Sequence, residues 1–194
     1  MARRKVIFVQ GGYYHLYNRG AGRQPIFRSD ENYRFLLQRV RKYAYEWSAT
    51  VIAYCLMPNH YHFVLRQDGD YPLSSFIQAV FNSYTKAFNK MYDRSGTLFE
   101  GPFEAIPVTE EVYVVHLCRY VHRNPLEARL VARLDDWPYS NYLERICQRD
   151  GTLVDKEFVH SRFATPDAYV RFVMEYTPPE RIERVVRQMS CDEG

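Results

Sequence analysis

The chain has 194 residues, of which 46% are hydrophobic and 25% charged, as expected for one globular domain with a substantial core. No apolar run approaches the roughly 20 residues of a membrane helix, and the N-terminus has no apolar signal segment, so we expect a cytoplasmic protein without a membrane partner. The net charge is +3, but residues 1–42 hold ten basic and two acidic residues, a balance of +8, and the remainder carries −5. The N-terminal part is therefore the basic one.

The first half of the chain predicts three strands and one long helix. Residues 13–17 are rich in strand-forming side chains and lead into a glycine-containing loop at residues 18–22. Ser29 is a suitable N-cap for a helix over residues 30–47, because apolar side chains then recur on one helical face. Residues 49–56 predict a second strand, which turns at residues 57–59 into a third strand beginning at His60.

With the next helix and strand, the order of the predicted elements indicates the fold. Apolar residues at helical spacing predict a helix over residues 73–92, and residues 103–108 predict a fourth strand. The order βαββαβ is that of the ferredoxin-like split motif, an α+β fold in which two helices cover one face of an antiparallel sheet. The first and third strands are central in that arrangement. The histidine strand would then lie in mid-sheet, with its site on the face that the two helices leave uncovered.

Further helices are predicted after the fourth strand. One should run from the cap residue Thr109 to about Asn124, since Pro125 disfavours a helical conformation in the residue before it. An amphipathic helix is predicted after Pro166 from the spacing of Tyr169, Phe172, Val173 and Tyr176. Residues 180–190 are expected to be a last short helix or a tail.

Two histidines stand two residues apart in the predicted third strand. Side chains at this spacing share one face and lie roughly 6.6 Å apart along the strand, so His60 and His62 could hold one ion. Tyr61 and Phe63 should then point to the opposite face. A bare His-x-His pair is more often structural than metal-binding, and the residues alone leave both interpretations open.

Two other groups of polar residues are candidates for function. His116, Tyr120 and Asn124 lie on one stripe of the third predicted helix, which a packed tyrosine with a satisfied hydroxyl would also explain. In the loop after the first strand, Arg19 and Arg23 are plausible phosphate ligands, because guanidinium groups match phosphate oxygens. The basic residues of the first helix are explained by a solvated helix face.

Several of these motifs, taken together, resemble a known family. The segment CLMPNHYHFVL at residues 55–65, Tyr120 in RYVHRNPLEARLV and the later WPYSNY are similar to the single-tyrosine HUH transposases, most closely the REP-associated tyrosine transposases. Residues 17–20, Ser83-Tyr84 and Leu98-Phe99 agree in order and spacing. The resemblance covers roughly residues 10–143.

The resemblance implies a mechanism and a set of site residues. Tyr120 would attack a phosphodiester of single-stranded or hairpin DNA and form a 5′-phosphotyrosine link with a free 3′-hydroxyl. His60, His62 and Asn124 would hold a divalent metal, Mg²⁺ or Mn²⁺, that polarises the phosphate. Residues 1–145 would form the catalytic domain and residues 146–194 a helical C-terminal extension.

One departure from the family pattern concerns DNA contacts. Pro102 and Glu104 stand where relatives usually carry basic residues, so this loop has lost positive charge. The expected phosphate contacts are instead Arg19, Arg23, Arg119 and Arg123. Two other classes stay open, a non-catalytic DNA-binding protein of the same fold and an unrelated metal-dependent hydrolase, as do monomer and homodimer.

Overall fold

The computed structural model describes residues 6–175. The elements follow one another as β1 (Tyr13–Arg19), α1 (Asp30–Glu46), β2 (Ala49–Met57), β3 (His60–Gln67), α2 (Leu73–Met91), β4 (Glu104–Val108), α3 (Glu111–Glu127), α4 (Tyr142–Arg145), α5 (Lys156–His160) and α6 (Pro166–Met174). Short 3₁₀ turns occupy Ala21–Arg23 and Leu134–Asp136. The predicted βαββαβ order is confirmed. Within the described residues, no helix combines the length and apolar character needed to cross a membrane.

The four strands form one antiparallel sheet in the order β2-β3-β1-β4. This is the ferredoxin-like arrangement that the sequence predicted, with β1 and β3 central. The pairing of β2 with β3 closes at Met57 and His60, so Pro58 and Asn59 form a two-residue turn. The pairing of β1 with β3 ends at Arg19 and His60. The loop after β1 and the β2–β3 turn therefore meet at the same end of the sheet.

The two faces of the sheet are covered by different helices. Tyr61 and Phe63 share one apolar core with α1 and α2, and the ring of Tyr61 stacks on that of Phe81 with centroids 4.0 Å apart. Val64 shares a second core with α3, on the opposite face. The predicted alternation along β3 is confirmed, because side chains in a strand point alternately to either face. The face left by α1 and α2 is nevertheless partly covered, by α3.

The prediction that the third helix stops near Asn124 is wrong. The helix α3 continues to Glu127 with Pro125 inside it. A proline has no N–H to donate to the carbonyl four residues earlier, which is that of Val121. The side-chain amide of Asn124 donates to this carbonyl at 3.4 Å, in place of the missing proline N–H, and also to the carbonyl of Tyr120 at 3.0 Å.

The predicted helix caps have mixed outcomes. Glu110, not Thr109, is the N-cap residue of α3 and makes no side-chain cap bond. Ser29 does occupy the N-cap of α1, but its hydroxyl accepts a hydrogen bond from Tyr92 rather than capping the helix. Both helices carry acidic residues in the first turn, where the helix dipole favours negative charge.

The chain after α3 returns to the sheet and forms hydrogen bonds with its edge strand β2. The backbone N–H of Leu56 donates to the carbonyl of Tyr139 at 2.9 Å, and the side-chain oxygen of Asn141 accepts from the N–H of Tyr54 at 2.7 Å. An otherwise open strand edge is a site for unwanted pairing, and here it is satisfied by the chain itself. The WPYSNY segment is therefore a structural part of the fold.

The C-terminal elements pack on α3. Thr165 caps α6 by accepting from the N–H of Ala168, and Tyr169 and Val173 of α6 enter the core shared with α3. The predicted amphipathic helix is confirmed as α6, whereas Tyr176 and residues 180–190 lie outside the described residues. The division at residue 145 stays a prediction, although residues of α5 and α6 pack in the same core as α3.

Candidate active site

A cleft opens where the end of β1, the β2–β3 turn and the loop before β4 meet. Its volume is about 480 Å³. It is lined by Tyr17, Asn18, Arg19, Arg23, Asn59, His60, Tyr61, His62, Glu100, Gly101, Pro102, Glu104 and Ala128. The cleft therefore contains the predicted histidine pair and two of the four arginines that were predicted to contact DNA. Ala128, at the C-terminal end of α3, lies on one side of it.

Backbone hydrogen bonds fix the arginine loop to the turn that precedes His60. The N–H of Gly20 donates to the carbonyl of Asn59 at 2.8 Å, and the N–H of Ile26 donates to that of Pro58 at 2.8 Å. A side chain at position 20 could not be accommodated, because a Cβ there would lie 2.1 Å from the carbonyl oxygen of Gln24. The loop is therefore held by close backbone approach, which explains its glycine.

The two histidines lie on β3 with their rings close and nearly perpendicular. Their centroids are 5.0 Å apart and the planes meet at 84°. The Nδ1 atom of His60 lies 2.7 Å from the side-chain oxygen of Asn59, which can only accept, so Nδ1 carries the proton and Nε2 the lone pair. The Nδ1 atom of His62 lies 3.1 Å from Nε2 of a third histidine, His15.

His15 is a site residue that the sequence reasoning missed. It lies on β1, is fully buried, and its ring centroid lies 5.1 Å from that of Tyr17 and 5.2 Å from that of His62. Burial, and after it the neighbouring His62, hold the pKa of His15 well below its ordinary value, so the ring is neutral. The available signal was the alternation in residues 13–17, which places His15 and Tyr17 on the same face of a central strand.

Tyr120 reaches the histidines from α3. Its ring lies 5.7 Å from that of His62 and 6.2 Å from that of His15, centroid to centroid, and meets both nearly edge-on. The residue is buried, with 8% exposed, and it contacts His62, which lines the cleft. The structure thus brings together Tyr120 and His62, which are 58 positions apart in the chain.

Asn124 lies one helical turn beyond Tyr120 and is also buried. Its amide nitrogen is engaged by the carbonyls of its own helix, as described for the Pro125 break. The amide oxygen is the other end of this side chain and has the capacity to bind a metal. Within residues 6–175, no three His, Cys, Asp or Glu side chains are grouped to hold a metal. The two histidines on a rigid strand fit a divalent ion only if an amide oxygen and non-protein oxygens complete the coordination.

An ion pair lies on the wall of the cleft. The guanidinium of Arg19 donates to the carboxylate of Glu100, and this hydrogen bond holds the pKa of Glu100 below its ordinary value. Arg23 is exposed on the same loop with a positive φ of 58°. Of the arginines proposed for DNA contact, these two lie at the cleft.

Arg119 and Arg123 are not among the residues that line the cleft, and their expected contact with DNA stays a prediction. The guanidinium of Arg119 is buried, donates to the backbone carbonyl of Phe172 at 3.2 Å and lies 4.4 Å above that ring. Arg123 donates to the carbonyl of Val173 at 3.1 Å and pairs with Glu127. Both arginines bind the C-terminal end of α6, where carbonyl groups favour positive charge. Their role in the structure is to attach α6 to α3.

The fold and the site together define a class of protein. A ferredoxin-like sheet carries a histidine pair on a central strand, and a tyrosine from a following helix faces that pair. The family described as "Transposase IS200 like" matches residues 8–124 of the chain. The chain belongs to this IS200-like transposase family. A comparison with curated proteins found no match.

One of three similar solved structures supports the fold. A REP-associated tyrosine transposase bound to a REP hairpin is similar with a TM-score of 0.66 and 18% identity, over 80% of this chain and 94% of that one. A proposed transposase from Deinococcus radiodurans R1 has a TM-score of 0.43 and 18% identity, over 63% and 95% of the two chains. The tRNA(His) guanylyltransferase of Saccharomyces cerevisiae has a TM-score of 0.47 and 8% identity, over 91% and 76%.

Proposed function

We propose that this transposase-family protein is a metal-dependent endonuclease and strand transferase for single-stranded DNA, acting at DNA hairpins through a 5′-phosphotyrosine intermediate. The observation that carries the proposal is the edge-on contact of Tyr120 with His62 beside a cleft that also holds His60 and Arg19. These side chains are the ones that would serve as nucleophile, metal ligands and phosphate-binding cation. The solved transposase with the same fold is bound to a DNA hairpin, which supports the choice of substrate.

His60, His62 and Asn124 are the residues that would hold Mg²⁺ or Mn²⁺. When bound, the ion supplies charge to the non-bridging oxygens of the scissile phosphate, where negative charge develops in the transition state. The donor set of two imidazoles and one amide leaves coordination positions for phosphate and water. The protein's own contribution is rigidity, since both histidines stand on a central strand of the sheet.

Tyr120 would carry out the displacement. Its hydroxyl gives up a proton as its oxygen bonds to the phosphorus, and the bond from phosphorus to the 3′-oxygen of the preceding nucleotide breaks. That oxygen takes up a proton and leaves as a 3′-hydroxyl, while the 5′-phosphate stays on the tyrosine. The energy of the broken bond is kept in the new one, so a second 3′-hydroxyl can reverse the reaction without ATP. Tyr120 and His62 come from one chain, so a single copy holds both groups.

Arg19 and Arg23 are the residues that we assign to the DNA backbone. They lie on the cleft wall next to His60, whereas Arg119 and Arg123 are assigned to the packing of α6. The cytoplasmic location expected from the sequence stays a prediction.

A single gel experiment tests the proposal. A single-stranded hairpin labelled at its 3′-end is incubated with the protein and Mn²⁺, with EDTA as control, and resolved under denaturing conditions. The expected result is a labelled, protease-sensitive band of protein mass that is absent with EDTA. Cleavage without this adduct would indicate the metal-dependent hydrolase, and binding without either would indicate the non-catalytic DNA-binding protein. Both results would contradict the proposal.

A further inference from the structure

The hydrogen bond between His15 and His62 concerns the atom through which His62 would bind a metal. Nε2 of His15 lies 3.1 Å from Nδ1 of His62, and the two rings are within 12° of parallel. His15 is fully buried on β1, at a position paired with Val64 of β3, so neither its backbone nor its ring is exposed to solvent. This histidine is outside the set of site residues that the family resemblance implies.

One proton must lie between the two nitrogens, and its location decides what His62 can do. A neutral imidazole has one N–H and one lone pair. If His62 carries the proton on Nδ1, it donates to His15 and its Nε2 has the lone pair that a metal requires. If the proton sits on Nε2 of His15, then His62 accepts at Nδ1 and carries its own proton on Nε2, where it blocks ligation.

We propose that His15 is a positioning residue. It accepts a hydrogen bond from the Nδ1–H of His62, which leaves the lone pair of His62 on Nε2, where it can bind the metal. The inference rests on the proposed metal-dependent function. His60 has the same arrangement, because its Nδ1 is held at 2.7 Å by the side-chain oxygen of Asn59. Both members of the pair are thus engaged through Nδ1, which assigns Nε2 as the ligating atom of both.

In this arrangement His15 carries its own proton on Nδ1, which is buried and has no hydrogen-bond partner within residues 6–175, so the bond to His62 is the hydrogen bond that orients this ring. One further contact fits this role: the ring of Tyr17 lies against both histidines, with centroids 5.1 Å from His15 and 6.0 Å from His62. Packing of this kind restricts ring rotation, and groups that orient metal-binding histidines typically change metal affinity about 10- to 100-fold when removed.

The test compares two substitutions of His15. His15→Gln places a carbonyl oxygen near the position of Nε2 and can still accept from His62, whereas His15→Leu fills much of the space but cannot accept. We expect His15→Leu to weaken Mn²⁺ binding about 10- to 100-fold in calorimetric titration, and His15→Gln to restore it to within a few-fold of wild type. His160→Gln, on α5, is the matched control for loss of an imidazole and should bind Mn²⁺ as the wild type does.

A second measurement uses the wild-type protein and does not depend on any variant folding. Long-range ¹H–¹⁵N NMR of the histidine rings at saturating Mg²⁺ should show His62 protonated on Nδ1 and shifted at Nε2, with His15 unprotonated at Nε2. A proton on Nε2 of His62, or equal Mn²⁺ affinity of wild type and His15→Leu, would overturn the positioning role while leaving the metal site intact. Absence of any Mn²⁺ binding by the wild type would instead overturn the proposed function itself.

Discussion

Tyr120 on α3 meets His62 on β3 edge-on, with ring centroids 5.7 Å apart and planes at 77°. The contact joins a helix to the central strand on the face of the sheet that α1 and α2 do not cover. It places a phenol next to an imidazole inside one chain. The predictions below follow from this contact and from the cleft beside it.

The first prediction concerns the nucleophile. Only the phenolic oxygen can form the covalent link, so Tyr120→Phe should abolish the adduct while folding and hairpin binding change little. Tyr113→Phe, on the same helix, should leave adduct formation unchanged. Peptide mapping of the wild-type adduct identifies the attachment site, and attachment to Tyr17, which lines the cleft, would show that the assignment is wrong.

The second prediction concerns the metal ligands. His60→Ala and His62→Ala should each remove most Mn²⁺ binding and DNA cleavage together, because two imidazoles supply most of the protein's coordination. Tyr61→Phe should be tolerated, since that ring stacks on Phe81 on the far face of the sheet. Calorimetric titration measures this, and an unchanged affinity in His62→Ala would exclude the proposed site.

The third prediction concerns the DNA backbone. Each phosphate contact on single-stranded DNA contributes about 0.7 to the slope of log K against log salt concentration, so Arg19→Ala with Arg23→Ala should reduce that slope by about 1.4. Arg34→Ala is the matched control, because Arg34 is an exposed arginine of α1 that pairs with Asp30. Binding of a hairpin with a short 5′ flank is measured at several salt concentrations. An equal slope in the double variant and the wild type would show that these arginines do not contact DNA phosphates.

The fourth prediction concerns Glu100. Its carboxylate accepts from the guanidinium of Arg19 and competes with a phosphate for the same donor. Glu100→Gln should therefore tighten hairpin binding by about two- to fivefold at low salt, and the gain should shrink as salt rises. The same substitution on the Arg19→Ala background should give a smaller gain. Equal gains in both backgrounds would mean that Glu100 acts through general charge rather than through Arg19.

The fifth prediction concerns stability and pH. His122 is buried, its Nε2 faces the side-chain oxygen of Asn141 at 2.8 Å and its Nδ1 faces the hydroxyl of Tyr169 at 2.8 Å, which satisfies the neutral ring. Burial lowers the pKa of His122 from 6.5 to about 3 in the folded protein. The unfolded chain therefore takes up a proton near pH 6.5 that the folded protein does not, and stability is lost as the pH falls from 6.5 toward 3.

This loss can be measured by urea unfolding. From pH 7 to pH 5, His122 should account for about 2 kcal/mol of lost unfolding free energy. His122→Gln should be less stable at pH 7, because it disturbs the contacts with Asn141 and Tyr169, but should lose less on acidification. If wild type and variant lose the same amount between the two pH values, His122 is not the titrating group.

Local periodicity in the sequence was enough to predict much of the secondary structure. The two-residue repeat in residues 60–65 assigned His60 and His62 to one face and Tyr61 to the other, and the structure agrees because the alternation of strand side chains is a property of the backbone itself. The helical spacing of the apolar residues in α2 and the βαββαβ order likewise follow from short-range patterns. Together with the motif resemblance, these patterns were enough to predict the sheet topology.

The other features of the site depend on contacts between residues that are far apart in the sequence. No local pattern shows that His15 and His62 share a hydrogen bond, or that Arg119 turns inward to the carbonyls of α6. Burial against partners far along the chain sets which polar groups must be paired and which stay accessible. The sequence alone could therefore name Tyr120, but only the packing of α3 across the sheet brings its ring to His62.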